Sequence, residues 1–127
     1  MSATTVTRKA KKKMVEARAG ISTLPRITKM AFGTGGVNSS GAVIDHTETQ
    51  NALYQEVLRK DIDGYTVIDE TKIRYACTIE AGDITAGTAI SEVGLIDAAG
   101  DFVALKSFYA KGIDSDMETI FECDDTF

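Results

Sequence analysis

From residue 26 onward, apolar and polar residues alternate in short runs, and the pattern predicts strands. The plainest run is Lys72-Ile73-Arg74-Tyr75-Ala76-Cys77-Thr78-Ile79. Ile73, Tyr75, Cys77 and Ile79 share one face there, and Lys72, Arg74 and Thr78 the other. Arg26 to Phe32 alternates more loosely, with Met30 and Phe32 on one side, and reads as a first strand that stops at Gly33. Tyr65-Thr66-Val67-Ile68 is β-branched and aromatic and follows an Asp63-Gly64 turn. Two apolar runs, 92–97 and 102–108, flank Ala98-Ala99-Gly100-Asp101 and predict a hairpin. Residues 117–123 predict one more strand. No helical crossover separates the later strands, so the sheet is expected to be antiparallel.

Two segments carry a helical pattern instead. Residues 7–19 lack internal Gly and Pro, are rich in Ala, Lys, Met and Glu, and end before Gly20. Val6, Ala10, Met14 and Ala17 form a narrow apolar face there, too narrow for a helix that stands alone. Met1 to about Thr5 should be loose unless a partner orders it. In 48–60, Thr47 and Gln50 have capping-box spacing, and Leu53, Tyr54, Val57 and Leu58 repeat at a helical period. The expected fold class is therefore α+β: a mostly antiparallel sheet of about four to six strands with two helices. The candidate core is Met30, Phe32, Leu53, Val57, Ile73, Tyr75, Val93, Leu95, Val103 and Leu105. The organisation reads as an arm, residues 1–22, and one α+β domain, 23–127.

Composition narrows the classes. The 127 residues are 43% hydrophobic and 26% charged, the size of one modest core. No apolar run of about 18 residues marks a membrane span, and no apolar stretch follows the basic N-terminus to make a secretory signal. Two cysteines and one histidine give neither a disulfide scaffold nor a standard zinc site, and a reducing compartment is expected.

The net charge of −5 hides a division. Residues 1–30 hold eight basic residues against one acid, +7, and the remainder holds six against eighteen, −12. A basic arm on an acidic body fits three roles: a solvated helix, an arm docked on a neighbouring subunit, or a nucleic-acid contact. The body's charge and the absence of interleaved aromatics argue against nucleic acid. The cations that would meet a partner are Arg8, Lys9, Lys11, Lys12 and Lys13.

Motifs for chemistry are sparse. Gly33-Thr34-Gly35-Gly36 lacks the Gly-Lys-Ser/Thr ending of a P-loop, and Asn38 stands where a dinucleotide loop needs Gly. It reads as a turning loop that could also shape itself to a neighbour. Asp61-Ile62-Asp63-Gly64 lacks a third carboxylate for calcium. His46, beside Asp45 and Glu48, reads as an exposed loop histidine. Cys77 reads as a buried thiol and Cys123 as semi-exposed, with a disulfide between them open. No spacing marks an acid–base pair, a metal or a cofactor, so the chain is not expected to be an enzyme.

Ile27-Thr28-Lys29-Met30-Ala31-Phe32-Gly33-Thr34-Gly35-Gly36 resembles the opening signature of the phage tail-collar fibre family. Asn51 to Arg59 is similar to the family's next helix. Glu92 to Asp101 resembles its strand running into an Asp-x-x-Gly turn, and Phe102 to Phe108 its return strand. Thr34 departs from the usual acid after the first Gly, and Tyr109 to Asp114 replaces a Pro-rich close. The shaft and receptor-binding tip of longer members do not follow, so receptor recognition is not carried over. The resemblance implies a structural virion protein of the tail or baseplate, assembled in host cytoplasm, that anchors a separate fibre. It also implies a homo-oligomer, a trimer as fibres usually are, without membrane. Capsid decoration or a head-fibre anchor is the structural alternative, and a small nucleic-acid-binding protein using the arm the other.

Overall fold

The computed structural model describes residues 4–114 and 118–127. Among these residues there are one helix, α1 (Arg8–Arg18), and eight strands: β1 (Thr5–Val6), β2 (Ile27–Gly33), β3 (Glu56–Asp61), β4 (Gly64–Asp69), β5 (Lys72–Ile79), β6 (Ala89–Asp97), β7 (Phe102–Gly112) and β8 (Thr119–Thr126). They form two antiparallel sheets, a five-stranded one in the order β1-β7-β6-β2-β3 and a three-stranded one in the order β4-β5-β8. The architecture is mainly β, with more strands than the pattern predicts and a single helix, and this corrects the α+β expectation.

The second helix, over 48–60, does not form. Its capping signal is partly real: the Thr47 N–H donates to Gln50 Oε1 at 2.7 Å and the Gln50 N–H to the Thr47 carbonyl at 3.1 Å. These bonds close a turn, not a helix. Residues 56–61 instead pair with the open edge of β2, Leu58 opposite Phe32 and Lys60 opposite Met30. A sheet edge satisfies every other backbone group of the segment and outweighs a modest helical preference. One consequence is that Val57 points outward and is 42% exposed.

Two apolar clusters flank the five-stranded sheet. Met30, Phe32, Val93, Leu95 and Ala104 face the three-stranded sheet and meet Cys77, Ile79, Phe121 and Cys123. Ile73, Tyr75 and Val103 pack partly buried against the same cluster. Phe32 and Phe121 join the two sheets edge to face, with ring centroids 5.2 Å apart. On the opposite face, Ala31, Ile96, Phe102 and Leu105 are covered by Leu53 from the long 34–55 connection. Neighbouring residues of β2 thus face opposite cores, as the period of two requires. Gly94 makes room for Phe102, whose ring carbons lie 2.6 Å from where a Cβ would stand.

At the chain start, Thr5 and Val6 pair with Leu105 and Ala104; Met1 to Ala3, also expected to be loose, lie outside the described residues. The final strand starts at Thr119 and runs through the acidic end to Thr126. Met117, expected in that strand, lies outside the described residues as well. Arg74 makes this ending possible by pairing with Asp124 at 2.8 Å.

Leu95 is fully buried at the centre of the larger cluster. Leu95→Ala is expected to cost about 2–5 kcal/mol, read as a lower urea midpoint at unchanged m-value. An unchanged midpoint would contradict this packing.

Candidate functional site

Two polar constructions organise the surface around β6 and β7. The first fixes α1. Thr7, fully buried, is its N-cap: Thr7 Oγ1 accepts from the Ala10 N–H at 3.1 Å and donates to the Phe102 carbonyl at 2.8 Å. Its own N–H donates to the Val103 carbonyl. The first turn holds no acid and is crowded with cations, which opposes the helix dipole. Glu48, brought in from the 34–55 connection, compensates by pairing with both Arg8 and Lys11 at 2.7 Å. Hydrogen bonds from Lys11 and Arg8 hold its carboxyl down at about 2.

Along the next turn, Lys9 pairs with Asp101 at 3.0 Å, and Lys13 with Asp97 at 2.6 Å and Asp101 at 2.7 Å. Asp97 is nearly fully buried at the end of β6, and its Oδ1 also accepts from the Ala99 and Asp101 N–H groups. Gly100, at φ +90°, completes this turn in a region that disfavours side chains. The Asp97-Ala98-Ala99-Gly100-Asp101 turn is therefore a clamp for the helix. Of the five cations expected to meet a partner, Arg8, Lys9, Lys11 and Lys13 are engaged by the chain's own acids. Lys12, like Arg18 one face away, is exposed and has no ion-pair partner among the described residues.

The second construction gathers the Gly33–Gly36 loop around the carboxylate of Glu92. Glu92 lies on β6 and is fully buried. Its Oε1 accepts from the Tyr54 N–H and from His46 Nε2, both at 2.8 Å, and its Oε2 from the Gln55 N–H at 2.8 Å and the Gly35 N–H at 3.0 Å. Beside it, the Gly36 N–H donates to Ser91 Oγ at 2.9 Å, and the Thr34 N–H to the Gln55 carbonyl. The glycines allow this approach: a Cβ on Gly36 would lie 2.0 Å from the Ser91 carbonyl oxygen, and one on Gly35 2.5 Å from Tyr54 Cβ. The loop does cradle an anion, and that anion is a side chain of the same molecule.

Burial pushes the Glu92 carboxyl up, but the bonds from His46, Gln55, Tyr54 and Gly35 outweigh it and hold it below the ordinary 4.5. An ionised carboxylate only accepts, so Nε2 of His46 carries the proton. Nδ1 lies 3.0 Å from Ser107 Oγ on β7. His46 is buried, not exposed in a loop as its neighbours suggest, and the carboxylate it meets is Glu92, not Asp45 or Glu48. Tyr54 stacks on the imidazole at 4.7 Å and donates its hydroxyl to the Asp45 carbonyl. A Ser–His–Glu string invites a hydrolase reading. Here the serine meets Nδ1 and the acid Nε2, the reverse of the hydrolytic arrangement, and all three side chains are closed to solvent. The string joins β6, β7 and the 34–55 connection.

Elsewhere the expected sites stay apart. Asp61 pairs with Lys29 at 2.6 Å and Asp63 accepts from Thr78 Oγ1. Among the described residues no group of three His, Cys, Asp or Glu is placed to hold a metal, and no helix is long and apolar enough to cross a membrane. Cys77 and Cys123 are both free and buried, which corrects the semi-exposed reading of Cys123. Burial pushes their thiols up to about 11 and about 12.

Comparison with known families decides the identity. The family described as phage tail-collar fibre protein, N-terminal, matches residues 1–111. The chain belongs to this family. It is a structural protein of a phage tail. No curated protein and no solved structure matches it. The matched span of this tail-collar protein contains both constructions, the clamp on α1 and the Glu92 cradle, and ends one residue short of the β7 terminus.

Both constructions are open to test. Glu92→Gln turns an amide –NH₂ toward donors and is expected to cost at least about 2 kcal/mol; wild-type stability on denaturant titration would contradict the cradle. Because the folded carboxyl sits below 4.5, its contribution is complete above that pH and disappears as pH falls through the lower folded value. Unfolding free energy measured from pH 6 down to pH 2 should therefore fall more steeply in wild type than in Glu92→Gln. Gly36→Ala should destabilise by roughly 1–3 kcal/mol or more, since the atom it meets is backbone; an unchanged melting temperature would show that the loop is loose.

Proposed function

We propose that this tail protein is a passive adaptor that anchors a separately encoded fibre at the tail collar or baseplate. Family membership across residues 1–111 is the observation that carries the reading. The structure supports it in physical terms. Within the arm, α1 is held by the 97–101 turn and Glu48 of the body, so it presents a fixed surface and not a swinging tether. Rigid surfaces lose less entropy when they dock. Docking then falls to groups that the clamp leaves free, Lys12 on α1 foremost. A homotrimer, assembled in host cytoplasm and then resident in the virion, completes the proposal, with no substrate turned over.

Cryo-EM of intact particles tests the location: density for this chain is expected at collar or baseplate, and density on the capsid alone would overturn the reading. A charge test reaches the residues. Lys12→Glu with Arg18→Glu should leave the melting temperature unchanged, because neither cation has an internal partner, while lowering incorporation into particles. Normal incorporation would show that these cations only solvate the helix.

A further inference from the structure

The three-stranded sheet ends at β4, whose outer edge pairs with no strand among the described residues. Tyr65 stands opposite Tyr75 and Val67 opposite Ile73, and Tyr75 in turn stands opposite the buried Cys123. Directly opposed residues of antiparallel strands share a face. Tyr65 and Val67 therefore point to the side of the sheet that holds the core, yet they are 65% and 64% exposed. The small sheet overhangs the large one. Below the overhang lies an open cleft of about 740 Å³ whose apolar lining includes Ile27, Ile62 and Ile73, with Tyr65 and Tyr75 beside them.

Sequence and charge say what would cover it. Sheet edges are normally protected by lysine, proline or a bulge that repels added strands. Tyr65-Thr66-Val67-Ile68 carries no lysine or proline, its one irregularity is a register shift against β5 between Val67 and Asp69, and acids stand at both ends: Asp63 before it, Asp69 and Glu70 after it. These acids disfavour a second copy of β4. The antiparallel register that overlaps the run fully sets Tyr65 against Ile68 and brings Asp63 against Glu70 at both ends, and like charges directly opposed destabilise. A strand with cations at its ends meets the same acids favourably.

We propose that β4 accepts an added strand from a different protein: an extended segment with apolar side chains at alternate positions and Lys or Arg at its ends. Backbone groups of the edge supply the pairing, the cleft takes the alternate side chains beside Tyr65 and Val67, and the flanking acids set the register. The assignment stands independently of whether the chain anchors a fibre.

The test uses the whole chain and a labelled eight-residue peptide, Lys-Lys-Val-Thr-Val-Thr-Arg-Lys, with a control in which Glu replaces every cation. Fluorescence anisotropy at low salt should show saturable binding of the basic peptide below about 1 mM, and binding of the acidic control at least about tenfold weaker. Backbone amides of Gly64–Asp69 should gain protection from hydrogen exchange. Val67→Lys, at an exposed position, should keep the wild-type melting temperature and weaken the basic peptide at least about tenfold. Lack of binding, equal binding of the two peptides, or binding that Val67→Lys leaves intact would overturn the proposal. So would self-association of the free chain that Val67→Lys abolishes, because the occupant would then be a second copy.

Discussion

A buried carboxylate must find donors or lose its charge, and the Glu92 side chain meets that constraint by drawing four chain segments together. It takes N–H groups from the glycine loop and from Tyr54 and Gln55, and the imidazole of His46, which in turn reaches Ser107 on β7. The long connection from residue 34 to 55 has little regular structure of its own. Its path over the sheet is set by this one anion together with Leu53, which caps the second apolar cluster. Where the path runs determines where Glu48 lies, and Glu48 closes the first turn of α1. The cradle and the helix clamp are thus successive links of one arrangement.

Electrostatics inside the chain also explain the divided charge. A charge of +7 on residues 1–30 against −12 on the rest suggests an intermolecular contact, and most of the complementarity is satisfied within the molecule. Exposed pairs such as Arg8–Glu48 contribute little each. The Lys13–Asp97 pair differs, because Asp97 is nearly dry and also braces its own turn. The Asp-x-x-Gly turn by which the sequence resembles the tail-collar family is the element that grips the helix. What remains for partners is limited: two unpaired cations on different faces of α1, Lys12 and Arg18, and the open edge at β4.

Local pattern carried much of the fold. Alternation in 72–79 became β5, the two runs around Gly100 became the β6–β7 hairpin, and the Ala- and Lys-rich segment became α1. Leu53, Tyr54, Val57 and Leu58 fit a helix as well as they fit a loop followed by a strand. The deciding contact was the free edge of β2, some 25 residues earlier, which no local window contains. The cradle was hidden for the same reason. His46 lies 46 residues from Glu92 and 61 from Ser107, while two nearer acids point to pairings the structure does not make. The three closely spaced glycines were the one visible signal, and they read as a turning loop without phosphate-loop chemistry; that the loop closes on an internal carboxylate was not legible. The strand count failed on β1, too short to show alternation, and on β3.

Native-state hydrogen exchange at Gly35, Tyr54 and Gln55 tests the central claim, that one carboxylate holds three separate backbone amides. If it does, the three amides exchange with a common opening free energy and lose protection together when Glu92 is replaced. Three unrelated opening energies, or protection that survives the loss of the carboxylate, would contradict it.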